Sequence, residues 1–206
     1  MLALIMLAKL TNNLEINLRF LEKKDDQKVQ KWLQDPYVLN LTFVISGPER
    51  RAILPFDQKM MDQYIHALLV DKTRKTFAIE VDREHVGNVG LKEINLETKR
   101  AELFIEIGEE KYRGLGVGKA AMAILLDHAA YALGLVEICL EVLEFNHVAL
   151  KLYQQLGFEI SHRSGWHYDA EGRYWQVWWM KLPAERWSKT RENLLFPDNL
   201  QLNPLI

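Results

Sequence analysis

The chain has 206 residues, enough for one domain of ordinary size, and its apolar fraction of 49% and charged fraction of 26% are those of a soluble globular protein. Formal net charge is −2 with acids and bases interspersed, which argues against a dedicated nucleic-acid binder, since such proteins carry a basic excess. The single cysteine, Cys139, excludes an internal disulfide framework, and no CxxC or Cys/His spacing offers a metal site.

The opening MLALIMLAKL lacks a basic leader and a small-residue cleavage site, and Lys9 interrupts it. Residues 1–10 therefore read as an extra strand or an extension, with Met6 a second candidate start. The run is too short to span a bilayer, and the expectation is a cytoplasmic protein with no membrane partner. Residues 18–21 alternate as a first strand, and Asp25, Asp26, Val29, Trp32 and Leu33 have the spacing of a short helix that stops before Pro36. Turn chemistry fills residues 47–55, and residues 58–70 read as a second helix. Three strands follow at 76–81, 86–94 and 102–107, with glycines that kink or bulge the middle one and a polar turn at 95–99. Residues 116–133 are apolar at helical spacing, with Gly134 placed to end the helix. Cys139 lies in the next strand, 136–143 (the run VEICLEV), and reads as a small buried hydrophobe. Asn146 then opens a helix that Gly157 closes, and residues 158–163 and 174–182 form a final hairpin around DAEG at 169–172. The order β-α-α-β-β-β-α-β-α-β-β predicts an α/β fold, a mixed sheet with helices on its faces and a right-handed crossover at its centre. Residues 1–183 are expected to form one domain and the polar residues 184–206 a loosely packed C-terminal extension.

The most informative stretch is RGLGVGK at 113–119, between a strand and a helix. Alternating glycines let backbone N–H groups turn inward, and the helix start adds its positive dipole end, so the loop suits an anion. It is not a Walker loop, because Arg113 and Ala120 stand where glycine and Ser/Thr are required. It is not a dinucleotide fingerprint either, because Lys119 occupies the third glycine position.

The pattern that fits is Arg113-x-x-Gly116-x-Gly118, which resembles the pyrophosphate signature of the GNAT superfamily of acetyl-CoA-dependent N-acetyltransferases. Asn146-x-x-Ala149-x-x-x-Tyr153 followed by Leu156-Gly157-Phe158 resembles that family's second motif. Gly-Arg-Tyr at 172–174 is similar to the branch containing ribosomal-protein N-terminal and spermidine acetyltransferases. The resemblance implies acetyl-CoA as co-substrate and no metal. It implies that the amides of Arg113, Gly114, Leu115, Gly116, Val117, Gly118 and Lys119 grip the pyrophosphate, and that Ile105, Glu106, Ile107 and Gly108 pair with the pantetheine arm. An N–H near Ile107 would face the thioester oxygen.

Tyr153 stands where the family commonly places its general acid. With a tyrosine pKa of about 10 and a thiol pKa of about 8.5, full transfer to the thiolate is uphill by about 2 kcal/mol, so a hydrogen bond with partial transfer suffices. Glu102 and Glu141 stand where relatives place a base, and a water chain could serve instead; Glu106 shares a strand face with Glu102. Asn146 reads as a helix cap that also touches the cofactor. Trp166, Trp175, Trp178 and Trp179 crowd the last hairpin, as expected for core or homodimer packing, and His162 and His167 read as surface or hairpin residues. The resemblance implies a primary-amine acceptor: a protein N-terminus, a polyamine or an amino sugar. A non-catalytic acyl-CoA sensor of the same fold is the alternative, though it would be expected to lose Tyr153 or the loop glycines.

Overall fold

The computed structural model describes residues 6–9, 14–42, 49–51, 58–169 and 172–194. Burial on both faces drives its central strands together. In β4 (Lys75–Val81), β5 (Glu84–Asn95) and β6 (Arg100–Ile107) nearly every inward position is apolar and shielded. Around them lie β1 (Met6–Lys9), β2 (Glu15–Phe20), β3 (Glu49–Arg51), β7 (Glu137–Leu143), β8 (Glu159–Tyr168) and β9 (Tyr174–Pro183). The spatial order is β1-β2-β4-β5-β6-β7-β9-β8-β3. Pairing is antiparallel except for β6 with β7 and β3 with β8.

Helices cover both faces. On one, α1 (Asp26–Leu33), α2 (Pro36–Thr42) and α3 (Gln58–Val70) bury Val29, Trp32, Leu33, Val38, Ile65 and Leu68 against Ala78 and Phe104. On the other, α4 (Val117–Asp127) and α5 (His147–Gln155) pack on a larger core that includes Ala101, Leu103, Val89, Leu140 and Phe158. The alternation along β6 divides it cleanly: Ala101, Leu103, Ile105 and Ile107 face α4, and Phe104 faces α1 to α3.

Among the described residues all seven expected strands and the four expected helices are present, joined by two further strands and two further α-helices. Strand β1 falls in the segment read as an extra strand or extension. Strand β3 falls in the stretch read as a turn, most of which, at 43–48 and 52–57, lies outside the described residues, as does the tip of the last hairpin at 170–171. Helix α2 starts at the proline that was expected to end α1. Pro36 is its first residue, where a missing N–H costs nothing, and Asp35 Oδ1 accepts the Tyr37 N–H at 2.9 Å.

The fourth addition corrects the reading of a loosely packed tail. Residues beyond Pro183 form α6 (Ala184–Asn193), whose Trp187 is 1% exposed within the main core. Its indole N–H donates to Asp127 Oδ1 at 2.9 Å, and Arg191 Nε lies 2.8 Å from the same carboxylate. Residues 195–206 lie outside the described part. Because the ring fills core volume and satisfies a buried acid, Trp187→Ala is expected to lower the unfolding free energy by about 3–5 kcal/mol. Urea denaturation measures this; a loss below about 1 kcal/mol would detach α6 from the cooperative fold.

Candidate active site

The site begins where two strands part. Strands β6 and β7 pair only from Arg100–Glu137 to Glu102–Cys139. Beyond that, β6 continues to Ile107 alongside β5, and β7 continues to Leu143 alongside β9. The resulting cleft has a volume of about 330 Å³ and is lined by β6, the glycine loop, α5 and one face of α2.

The glycine loop forms its floor. Gly114 and Gly116 have φ of 75° and 85°, a left-handed conformation that other residues adopt at a cost, and Gly116 is the residue from which α4 starts. The first amides of a helix have no carbonyl of their own turn to bond, so they point outward as donors. Arg113 plays a different part from its neighbours. Its amide already donates to Glu110 O, and its guanidinium donates to Ile107 O at 3.0 Å and Gly108 O at 2.8 Å. The same group approaches Asp35 at 3.3 Å and lies 4.2 Å from the centre of the Tyr37 ring. Arg113 thus staples the end of β6 to the loop and to α2, and the amides that can meet an anion begin at Gly114.

Of the residues singled out in the sequence, Ile105, Glu106, Ile107, Arg113, Gly114, Gly116, Gly118, Lys119, Asn146 and Tyr153 all line this cleft. Leu115 is exposed beside it, and Val117 is fully buried as the hydrophobic anchor of α4. Gly108 lies under α1, where a Cβ would fall 2.0 Å from the Trp32 ring. Asn146 caps α5, its Oδ1 accepting the Ala149 N–H at 3.1 Å. Tyr153 is buried, with its ring 6.0 Å from that of Phe158, and burial pushes its phenol up to about 12.

The two carboxylates expected as bases lie outside the lining. Glu102 is 7% exposed and held by Lys92 at 2.8 Å across the β5–β6 pair. Burial pushes its carboxyl up, Lys92 opposes this, and the charges of Glu141 and Glu93 add to the rise. Glu141 lies opposite Trp179 in the β7–β9 pair. The carboxylate that does line the cleft is Glu106, 6% exposed, which accepts a hydrogen bond from Asn88 Nδ2 at 2.6 Å. Burial pushes Glu106 up as well, against the Asn88 bond.

Other lining residues escaped the sequence reading, among them Tyr37, Val38 and Leu41 of α2 and Leu152 of α5. The Asp35-Pro36 pair was the available signal for α2. Cys139 is half-buried, donates to Ala101 O at 3.3 Å and is pushed by burial up to about 12, in keeping with a packing role. His162 is exposed, and His167 is a hairpin residue of β8 paired with Trp175, fully buried rather than on the surface. Trp166 is 44% exposed, while Trp178 packs partly against the main core. Among the described residues no cluster of His, Cys, Asp and Glu is placed to hold a metal ion, and no helix is long and apolar enough to cross a membrane.

The cleft thus combines a splayed mixed sheet, a glycine loop with positive-φ residues and a buried tyrosine on α5. The chain matches the acetyltransferase (GNAT) domain family over residues 15–159, and so belongs to the GNAT family as an acetyl-CoA-dependent acetyltransferase. It is 28% identical over 160 residues to spermidine N(1)-acetyltransferase of Escherichia coli K12, covering 77% of this chain and 76% of that one. It is 27% identical over 173 residues to an N-acetyltransferase 9-like protein of Caenorhabditis briggsae, covering 78% of each. Among solved structures, spermidine N-acetyltransferase from Vibrio cholerae in complex with CoA and spermine superposes with a TM-score of 0.69 at 22% identity. That match covers 84% of this chain and 98% of the other.

Gly118 offers a clean test of the loop. A Cβ there meets the protein only at ordinary contact distance, 3.7 Å from Ile105 Cδ1. Gly118→Ala is therefore expected to leave the unliganded melting temperature unchanged or slightly raised, by no more than about 1 kcal/mol of stability, while CoA stabilises the variant much less than the wild type. Gly116 substituted by a bulky residue should lose CoA stabilisation too, with added backbone strain. Differential scanning fluorimetry with and without CoA measures both, and unchanged CoA affinity would remove the loop from the site.

Proposed function

We propose that the chain transfers the acetyl group of acetyl-CoA directly to a primary amine within a ternary complex, and that the amine is a polyamine or a similarly small cationic amine. The observation that carries this reading is the parting of β6 and β7 above a positive-φ glycine loop, with Tyr153 in the same cleft. The pyrophosphate of CoA rests on the amides from Gly114 to Lys119. Its pantetheine arm runs along the open edge of β6 at Ile105–Ile107, replacing the strand partner that β7 no longer supplies, and Asn146 borders the arm.

The reaction forms a C–N bond at the thioester carbon and breaks the C–S bond. The electron pair leaves on sulfur, and the thiolate needs a proton. Tyr153 hydrogen-bonds to the sulfur with partial transfer: burial keeps the phenol protonated and a donor at physiological pH, while making full transfer less favourable than from an ordinary tyrosine. Backbone N–H groups near Ile107 face the oxygen on which negative charge gathers.

The choice of a polyamine draws on the relatives, two of which are named spermidine acetyltransferases. The acid that lines the cleft supports it, since Glu106 would draw a cationic acceptor inward.

Acetyl-CoA or CoA should raise the melting temperature while ATP and NAD leave it nearly unchanged; the reverse ranking would sink the reading. Thiol release from acetyl-CoA should be fastest with spermidine or spermine, slower with amino sugars and N-terminal peptides. Tyr153→Phe should lower kcat by about 10²-fold without abolishing it, and an unaltered kcat would remove Tyr153 from the mechanism.

A further inference from the structure

Glu106 is the end of a buried polar chain that enters the sheet from the opposite side. Asn88 donates from Nδ2 to Glu106 Oε1 at 2.6 Å, which leaves Oδ1 as its acceptor. His85 Nε2 lies 3.0 Å from that Oδ1 and must therefore carry the hydrogen. The other ring nitrogen, Nδ1, lies 3.4 Å from Asp25 Oδ1 and has no hydrogen-bond partner among the described residues. Asp25 is gripped by Arg19 at 2.7 and 2.8 Å and by the Glu22 amide at 2.9 Å. Burial alone would push the Asp25 carboxyl up, but Arg19, Glu22 and His85 together hold it below its ordinary value. Burial pushes the His85 imidazole down, against Asn88 and Asp25. Burial favours the neutral ring, which has one hydrogen for two nitrogens. With that hydrogen on Nε2, a bare Nδ1 lone pair faces the Asp25 carboxylate at 3.4 Å.

A strand irregularity makes the chain possible. Residues 85 and 88 of a regular strand point to opposite faces, but the β4–β5 register slips at Ile79/Glu80, pairing Ile79 with Gly87 and Glu80 with His85. The extra residue, Val86, is fully buried, and His85 and Asn88 come to the same side.

We propose, building on the acetyl-transfer reading, that Glu106 takes the proton of the attacking ammonium, and that Asn88, His85 and Asp25 are positioning residues acting on it through a coupled turn of the Asn88 amide. With Glu106 ionised, the amide stands as described. When Glu106 gains a proton it becomes a donor, the amide turns so that Oδ1 accepts from it, and Nδ2 donates to His85 Nε2. The imidazole hydrogen then belongs on Nδ1, where it meets Asp25. Proton uptake at the cleft thus removes the clash of lone pair and carboxylate at the far end. Asp25 thereby raises the proton affinity of a group it never touches.

In turnover the ammonium gives one proton to Glu106 and its freed lone pair forms the C–N bond. The C–S bond breaks, sulfur takes the Tyr153 proton, and the nitrogen of the adduct returns a proton to the Tyr153 oxygen. Glu106 then releases its proton to solvent. Lys28, which donates to the His85 carbonyl at 2.7 Å, and Arg19 are the cations facing His85, and the edge of Trp32 packs on the ring. Lys24, Glu80, Asp82, Arg83 and Glu84 line the same surface cavity as His85. Around Glu106 the cleft presents Arg113, Lys119, Tyr112 and Tyr153.

The test combines imidazole 15N NMR of the full chain with pH profiles of kcat/KM at saturating acetyl-CoA. The His85 signal is assigned by its loss in His85→Gln. As pH falls, its hydrogen should move from Nε2 to Nδ1 with the midpoint of the acid limb, and Glu106→Gln should hold one tautomer throughout. Glu106→Gln should also lower kcat/KM by at least about 10²-fold and abolish the acid limb. Asn88→Asp, which sets a carboxylate against Glu106, should raise the acid limb by about one pH unit or more. His85→Gln keeps a donor toward Asn88 but cannot pass its hydrogen to Asp25, so the limb should fall. A pH-independent His85 tautomer would overturn the coupling, and a Glu106→Gln enzyme with wild-type rate and acid limb would overturn the role of Glu106. Failure of every amine to release thiol would instead overturn acetyl transfer, and with it the proton-acceptor role, while the NMR experiment still decides the coupling.

Discussion

The parting of β6 from β7 is the constraint on which the site depends. Two neighbouring parallel strands would ordinarily bond along their whole length, because a buried N–H or C=O without a partner costs about 1–3 kcal/mol. Here the separation is held open from both sides. Strand β7 is committed to β9 over seven residue pairs and ends where the Glu144 carboxylate accepts the Gln176 amide at 2.7 Å. Strand β6 is drawn to β5 instead. Gly87 and Gly90 allow that approach, since a Cβ at Gly87 would stand 2.2 Å from Glu106 O and one at Gly90 would strike Phe104 at 2.5 Å. At the end of β6, Gly108 seats under Trp32 and Arg113 bonds two successive carbonyls. The opening is therefore fixed by packing on either side.

That rigidity explains why so few charges are needed. An anion meeting the glycine loop encounters donors fixed by backbone geometry, with Gly114 and Gly116 in conformations that aim them and Val117 anchoring the helix in the core. The loop's own arginine is occupied in holding the architecture together. A lysine at Arg113 would keep the charge yet lose the fork that reaches Ile107 O, Gly108 O and Asp35 together.

What could be read from the sequence was what depends on short spacing. The glycine loop, the Asn146 cap and Tyr153 are set by local backbone geometry and by positions one or two turns apart on a helix, so residue order alone locates them. Helix α2 was hidden because Pro36 terminates one helix and begins another, and only the Asp35 cap distinguishes the two. Helix α6 was hidden because its sequence is polar and its contribution rests on one ring and one guanidinium meeting Asp127, some sixty residues away. The chain from Asp25 to Glu106 was beyond reach for a further reason. Regular alternation puts His85 and Asn88 on opposite faces, and only the displaced Val86 brings them together.

The two β6 glutamates show how partner chemistry divides similar residues. Glu102 and Glu106 lie on one face of one strand, four residues apart, and both are nearly enclosed. Their cross-strand partners differ: Lys92 stands opposite Glu102, Asn88 opposite Glu106. A lysine favours the charged carboxylate, and at 2.8 Å its attraction counters the cost of burial. A neutral amide supplies a hydrogen bond but no counter-charge, and burial raises the proton affinity of Glu106 against that bond. It is also the one whose partner can reverse its donor and acceptor ends. A strand bearing two acids thus yields one paired with a lysine and one bonded to a neutral amide, and the second is the one that lines the cleft.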